Sequence, residues 1–92
     1  MSSTNLNVGG YSQIVATTQI TTKGASMIGV FVSSASATPT ITVYDSALST
    51  ATSKVVDTFI PVAGTYYPLP FSTTNGLYFV IVGSVSATVG FA

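Results

Sequence analysis

The sequence predicts an all-β domain, an antiparallel β-sandwich of about seven strands with Greek-key or jelly-roll-like connections. Three observations predict it. The apolar residues are mostly β-branched or aromatic and fall in strand-length groups, with turn residues about every 8–12 positions. No segment carries the period of an amphipathic helix. The longest apolar run, Leu77-Tyr78-Phe79-Val80-Ile81-Val82, is apolar at every position, as a strand buried on both faces would be. Cysteine and tryptophan are absent, so the cysteine pair and buried Trp of an immunoglobulin domain are missing.

Residues 1–10 are polar apart from Leu6 and Val8 after the initiator, and they end in Gly9-Gly10. They read as a flexible N-terminal arm preceding a single domain over residues 11–92. A frayed terminus is the plain reading. The functional one is an arm lying on a neighbouring subunit, anchored by Leu6 and Val8.

Tyr11 to Lys23, with Ile14, Ala16 and Ile20 among threonines, reads as one long strand bent near Thr17-Thr18. After a turn at Gly24-Ala25-Ser26, Met27 to Ser34 is apolar on both faces and reads as a central strand. Its faces are Ile28, Val30 and Val32 against Met27, Gly29 and Phe31. Ala35 to Pro39 reads as a hairpin connection. Thr40 to Asp45 alternates, with Ile41 and Val43 inward. Ser46 to Ser53 is a small polar loop for which Asp45 is the expected cap.

Lys54 to Val62 is a further strand, with Val56, Thr58, Ile60 and Val62 opposing Val55, Asp57 and Phe59, and Pro61 marks its end as an edge. Next comes the most aromatic stretch of the chain, Thr65-Tyr66-Tyr67-Pro68-Leu69-Pro70-Phe71. Its prolines lack ladder donors, so it belongs at an edge or crossover. A turn at Asn75-Gly76 leads into Leu77–Val82. In the last strand Val85, Ala87, Val89 and Phe91 alternate with Ser86, Thr88 and Gly90.

Charged residues make up 4% of the chain, against about 25% in ordinary soluble domains. Lys23, Asp45, Lys54 and Asp57 are the whole set, and the net charge is zero. Without His, Cys or Glu there is no evident general base, and the many hydroxyls make no nucleophile without one. The chain reads as a non-enzyme with no cofactor. Two aspartates twelve positions apart are a poor start for a Ca²⁺ site, and two lysines without arginine do not make a phosphate-binding surface. No apolar run approaches the length of a membrane-spanning helix. No signal peptide is visible, so synthesis in a cytoplasm is expected. A Lys–Asn isopeptide bond built from Lys23 or Lys54, Asp57 and Asn75 is a minor alternative, as is a Thr-x-Thr array at Thr40-Ile41-Thr42 for ice or carbohydrate. An uncharged surface has little to keep copies apart, so partners are expected to cover much of it.

Several pieces together resemble the small all-β head-decoration, or capsid cement, proteins of tailed phages. These are Gly29-Val30-Phe31-Val32-Ser33-Ser34, Thr40-Ile41-Thr42-Val43-Tyr44-Asp45 and Val56-Asp57-Thr58-Phe59-Ile60-Pro61. They continue as Thr65-Tyr66-Tyr67-Pro68-Leu69-Pro70-Phe71 and Asn75-Gly76-Leu77-Tyr78-Phe79. The resemblance spans Met27 to the C-terminus. It implies a structural virion protein on the capsid surface, made in the host cytoplasm, that binds between major capsid protein subunits and stabilises the bacteriophage head. The implied partners are the major capsid protein and other copies of itself, as a dimer or trimer, with no nucleic acid or membrane. The candidate interface is Leu6, Val8, Tyr66, Tyr67, Pro68, Leu69, Pro70 and Phe71. The alternative is a carbohydrate- or receptor-binding module of a head fibre or tail, with Tyr44, Tyr66, Tyr67 and Tyr78 as an aromatic platform.

Overall fold

A computed structural model describes residues 10–36 and 38–92. The described chain forms eight strands: β1 Gly10–Ile14, β2 Thr18–Thr21, β3 Met27–Ala35, β4 Thr40–Tyr44, β5 Lys54–Phe59, β6 Thr65–Pro68, β7 Leu77–Val82 and β8 Val85–Phe91. They make two antiparallel four-stranded sheets, ordered β1-β8-β3-β6 and β2-β7-β4-β5. We refer to these as the first and second sheet. The pairings are nested: β4 with β5, β3 with β6, β2 with β7 and β1 with β8. This is one long hairpin with its tip at the β4–β5 loop. Pairing of β3 with β8 and of β4 with β7 then rolls it into two layers. The result is a jelly roll.

The expected seven strands become eight because Tyr11–Lys23 is not one strand. Val15-Ala16-Thr17 carries the chain from the first sheet to the second, so β1 and β2 lie in different layers. Gly10, expected in the arm, is the first residue of β1 and pairs with Phe91. Likewise Ala35–Pro39 is a crossover between sheets and not a hairpin; consecutive strands share a sheet only at β4–β5. Leu6 and Val8 lie outside the described residues.

The core lies between the two sheets. Ile14, Met27, Val30, Val32, Val85, Ala87 and Val89 face it from the first sheet, and Ile41, Val43, Leu77, Phe79 and Ile81 from the second. The alternations read in β4 and β8 match this burial. Those of β3 and β5 do not, because each is interrupted by a bulge. A register shift between Met27 and Gly29 turns both Met27 and Val30 inward and leaves Phe31 on the outside. A second, where β5 spends three residues against two of β4, turns both Val56 and Phe59 toward Ile41 and Val43. Strand β5 stops at Phe59, short of the expected Val62.

Strand β7 is interior to its sheet as expected, but only one of its faces is buried. Leu77, Phe79 and Ile81 point into the core, Tyr78 and Val80 are half-buried, and Val82 is exposed. Two layers leave each sheet an outer face on which no other described strand is stacked.

Where strands end at the sheet-changing corners, side-chain hydroxyls take over the backbone pairing. Thr17 Oγ1 accepts from the Ile81 N–H at 3.0 Å and donates to its carbonyl at 3.3 Å. Thr73 Oγ1 does the same for Ala25, and Ser36 Oγ accepts from the Ser84 N–H. Among the described residues no buried side-chain polar atom lacks a partner. Much of the serine and threonine content therefore has a structural use, because a short hydroxyl can mimic a missing strand neighbour.

Phe79 is the largest fully buried side chain, and Phe79→Ala should cost about 3–5 kcal/mol. That is a large share of the roughly 5–15 kcal/mol available to a domain, and a urea titration followed by tyrosine fluorescence measures it. Gly76→Ala should also destabilise. A Cβ there would sit 2.6 Å from Ser46 O and 2.7 Å from Thr21 O, both backbone atoms that cannot rotate away.

Candidate interaction surface

The segment after β5 builds one side of the molecule. Ile60 to Gly64 crosses from the second sheet to the first, turning at Gly64 with φ of 79°. Residues 64–73 then run antiparallel along residues 25–32. Gly64 N–H donates to Val32 O, β6 pairs with β3, Leu69 N–H donates to Ile28 O, Met27 N–H to Phe71 O and Thr73 N–H to Ala25 O. Alternate strand residues direct their N–H groups to opposite sides. Since Leu69 donates inward, Pro68 and Pro70 occupy positions whose N–H would point out at the free edge. The prolines therefore remove no ladder bond and leave no outward donor there. The edge cannot accept another strand at these positions, so contact with a partner has to use side chains.

Strand alternation divides those side chains. Tyr67 points inward, its ring 5.1 Å from that of Phe59 and its hydroxyl accepting the Val62 N–H. Leu69 is half-buried against the core. Tyr66, Pro68, Pro70 and Phe71 are exposed. Tyr66 pairs across the strands with exposed Phe31, and its ring crosses Gly29: a Cβ on Gly29 would lie 2.6 Å from Tyr66 Cζ. Gly29 is thus the gap that admits the hydroxyl end of the Tyr66 ring. Ile60 and Val62 add exposed aliphatic surface on the adjoining crossover.

The first sheet contains no charged residue in any of its four strands. Its register places Gln13, Thr88, Phe31 and Tyr66 in one outward row, about 14 Å long at the usual strand spacing. A parallel row runs through Tyr11, Gly90, Gly29 and Pro68. The four tyrosines expected as one platform are separated. Tyr44 and Tyr78 pair on the second sheet, centroids 6.2 Å apart, Tyr66 is on the outer face of the first sheet and Tyr67 turns inward. The uncharged aromatic face is instead formed by Tyr11, Phe31 and Tyr66.

The four charges lie outside the strands of that sheet, and among the described residues three of them have close partners. Lys54 Nζ donates to Asp57 Oδ1 at 3.0 Å, and Asp57 also accepts the Thr58 N–H in the β5 bulge. Hydrogen bonding to Lys54 holds the Asp57 carboxyl below its ordinary pKa and raises that of Lys54. Asp57 is 84% exposed, unlike the buried carboxylate that an isopeptide reaction needs. Thr42, in the supposed Thr-x-Thr array, is buried against the Thr58 hydroxyl at 2.7 Å.

Asp45 does not cap the loop that follows it. Ser46 does so, its Oγ accepting from the N–H groups of Leu48 and Thr50. The Asp45 carboxylate instead accepts from Thr74, Asn75 and Gly76, at 3.0, 2.7 and 3.2 Å, gathering the donors of the turn before β7. Gln19 is a second clamp, with nothing in its local sequence to announce it. Its Nε2 donates to Thr21 O and Ser46 O, and its Oε1 accepts from the Ser49 N–H and hydroxyl, tying the β4–β5 loop to β2.

Among the described residues no group of three or more His, Cys, Asp and Glu side chains comes together. Two open grooves lie at opposite ends of the sandwich. One of about 480 Å³ is lined by Val15, Ser34, Ser36, Ser84 and Ser86, and one of about 460 Å³ by Ile20, Lys23 and Phe91. No family model, curated protein or solved structure matches the chain.

The Asp45 carboxyl is held below its ordinary pKa, first by the Thr74 N–H, then by that of Asn75, against a smaller opposing effect of desolvation. A pKa lowered on folding contributes stability that is complete above the unfolded value, about 3.9, and is lost as pH falls through the folded one. Asp45→Asn should therefore be less stable than the parent near neutrality. The gap in urea midpoint should narrow as pH falls through the folded pKa, where the Asp45 carboxylate loses its charge.

Proposed function

We propose that the chain is a non-enzymatic structural virion protein that binds the outer capsid surface between major capsid protein subunits and stabilises a phage head. The observation that carries this reading is the β6 side of the molecule. Tyr66 is exposed there on a sheet whose strands carry no charge, Phe71 follows the proline-blocked edge, and Ile60 and Val62 are exposed on the crossover that leads into β6. Large apolar side chains gathered on a surface mark a contact with another macromolecule. Prolines that bar strand addition direct that contact to side-chain docking, which suits a graft onto a preformed shell. The resemblance of residues 27–92 to capsid cement proteins supports the same partner.

A second reading keeps the alternative of a carbohydrate- or receptor-binding module. Exposed Tyr66 reaching over Gly29 and paired with exposed Phe31, with Gln13 and Thr88 in the same row, favours it. Such a surface offers an aromatic face and uncharged hydrogen-bonding groups to a sugar ring.

Mixing the purified protein with expanded capsids that lack it separates the two. Saturable, stoichiometric binding with a higher capsid melting temperature supports the capsid reading; binding to glycans or cells alone sinks it. Tyr66→Ala with Phe71→Ala should weaken capsid binding at least tenfold, since buried aromatic anchors are worth about 2 kcal/mol or more each. The melting temperature of the free protein should change little, because both rings are already near half-exposed. Tyr67→Ala is the wrong probe, as that ring packs inward on Phe59.

A further inference from the structure

Two open sheets have four edges, and three of them are guarded. Strand β5 breaks register with β4 twice and carries the Lys54–Asp57 ion pair. The β6 edge presents Pro68 and Pro70. Strand β2 is four residues long, breaks register between Gln19 and Thr21, and is tied to the β4–β5 loop by Gln19. Bulges, charges, prolines and covering loops are the devices by which sheets avoid adding strands.

Among the described residues strand β1 has none of these. Its five residues, Gly10-Tyr11-Ser12-Gln13-Ile14, pair with β8 without a break in register. They include no proline and no charge, and among the described residues none of their side chains hydrogen-bonds across the edge. Tyr11, 76% exposed, stands at this edge with little of its ring covered.

We propose that β1 pairs with β1 of a second copy across a two-fold axis. A two-fold axis makes the strands antiparallel, and centring it on Ser12 satisfies the sequence on both faces. Outward, each Tyr11 ring lies across the stem of the partner subunit's Gln13. Inward, Ile14 meets the partner subunit's Gly10, large against small. Nothing charged is buried, and a net charge of zero gives two copies no repulsion to overcome. The two first sheets become one sheet of eight strands, carrying both aromatic faces on the same side. This pairing is independent of the capsid reading, since it concerns the opposite edge from β6.

Sedimentation equilibrium of the full chain should give twice the 9.4 kDa monomer mass at high concentration. The chain has no native cysteine, so Ser12→Cys introduces a lone thiol. Residues facing each other across antiparallel strands have Cα atoms about 4.5–5.5 Å apart, within disulfide range. Ser12→Cys should therefore cross-link into a covalent dimer on mild oxidation, while Thr18→Cys in β2 and Thr65→Cys in β6 remain largely reduced. Tyr11→Lys with Gln13→Lys should give a monomer of unchanged circular dichroism. The proposal is overturned by a chain that stays monomeric, whether its β1 amides exchange freely or are protected by preceding residues of the same chain. A dimer that survives both lysines, or equal cross-linking at all three cysteine positions, overturns it as well.

Discussion

The pairing of β8 with β3 is the constraint on which the architecture rests. The nested pairs around the β4–β5 tip would, alone, make a single long two-stranded ladder with one face too apolar for water. Joining β8 to β3, with β7 joined to β4, folds that ladder so that its apolar faces meet. Strands β3 and β8 are the longest in the molecule, and their inward residues, Val30, Val32, Val85, Ala87 and Val89, form much of the core. The Met27–Gly29 bulge is part of this arrangement, because it keeps Met27 inward at the end of β3, where it meets Phe91.

Uncharged sequences are usually read as poorly solvated, but here the missing charges have a structural counterpart. Polar groups are concentrated at the corners, where Thr17, Thr73 and Ser36 replace backbone partners, and in the β4–β5 loop, where Ser46 and Gln19 hold the turn. Hydroxyls are small enough to be buried once bonded, and they do so without the desolvation penalty of a carboxylate or ammonium group. The two carboxylates that are present accept backbone donors, one at a turn and one at a bulge. The outer face of the first sheet is left with aromatic rings and no ion. The same economy of charge serves both the compact corners and a surface suited to contact.

How much of this was legible in the sequence depended on whether the signal was local. The alternation in Val85–Phe91 and Thr40–Tyr44 states which side chains are inward, because a pleated strand has a period of two. The prolines at 68 and 70 mark an edge for the same local reason. The division of residues 11–23 into β1 and β2 was not legible, since nothing in Val15-Ala16-Thr17 distinguishes a bend within a sheet from a crossing between sheets. Bulges at Met27–Gly29 and within β5 defeated the period-two reading, because one inserted residue exchanges the faces. Asp45 and Gln19 act on partners some thirty residues away. Local turn chemistry therefore pointed to the wrong cap for one and said nothing of the other. Tyr66 and Tyr67 look equivalent in sequence, and only the register with β3 sends one outward and one toward Phe59.

The nested order of the strands also sets a timetable. Each sheet interleaves strands from the two ends of the roll, so β1 has no neighbour until Val85–Phe91 has been synthesised. Apart from the β4–β5 hairpin, pairing must bring distant segments together before any of its stabilisation is realised, which places such a topology among the slower folders. A growing chain would carry its aromatic and β-branched stretches unpaired for most of its translation. Prolines and charges written into β5 and the β6 segment are then useful before the native state exists, while copies on neighbouring ribosomes are at their most adhesive.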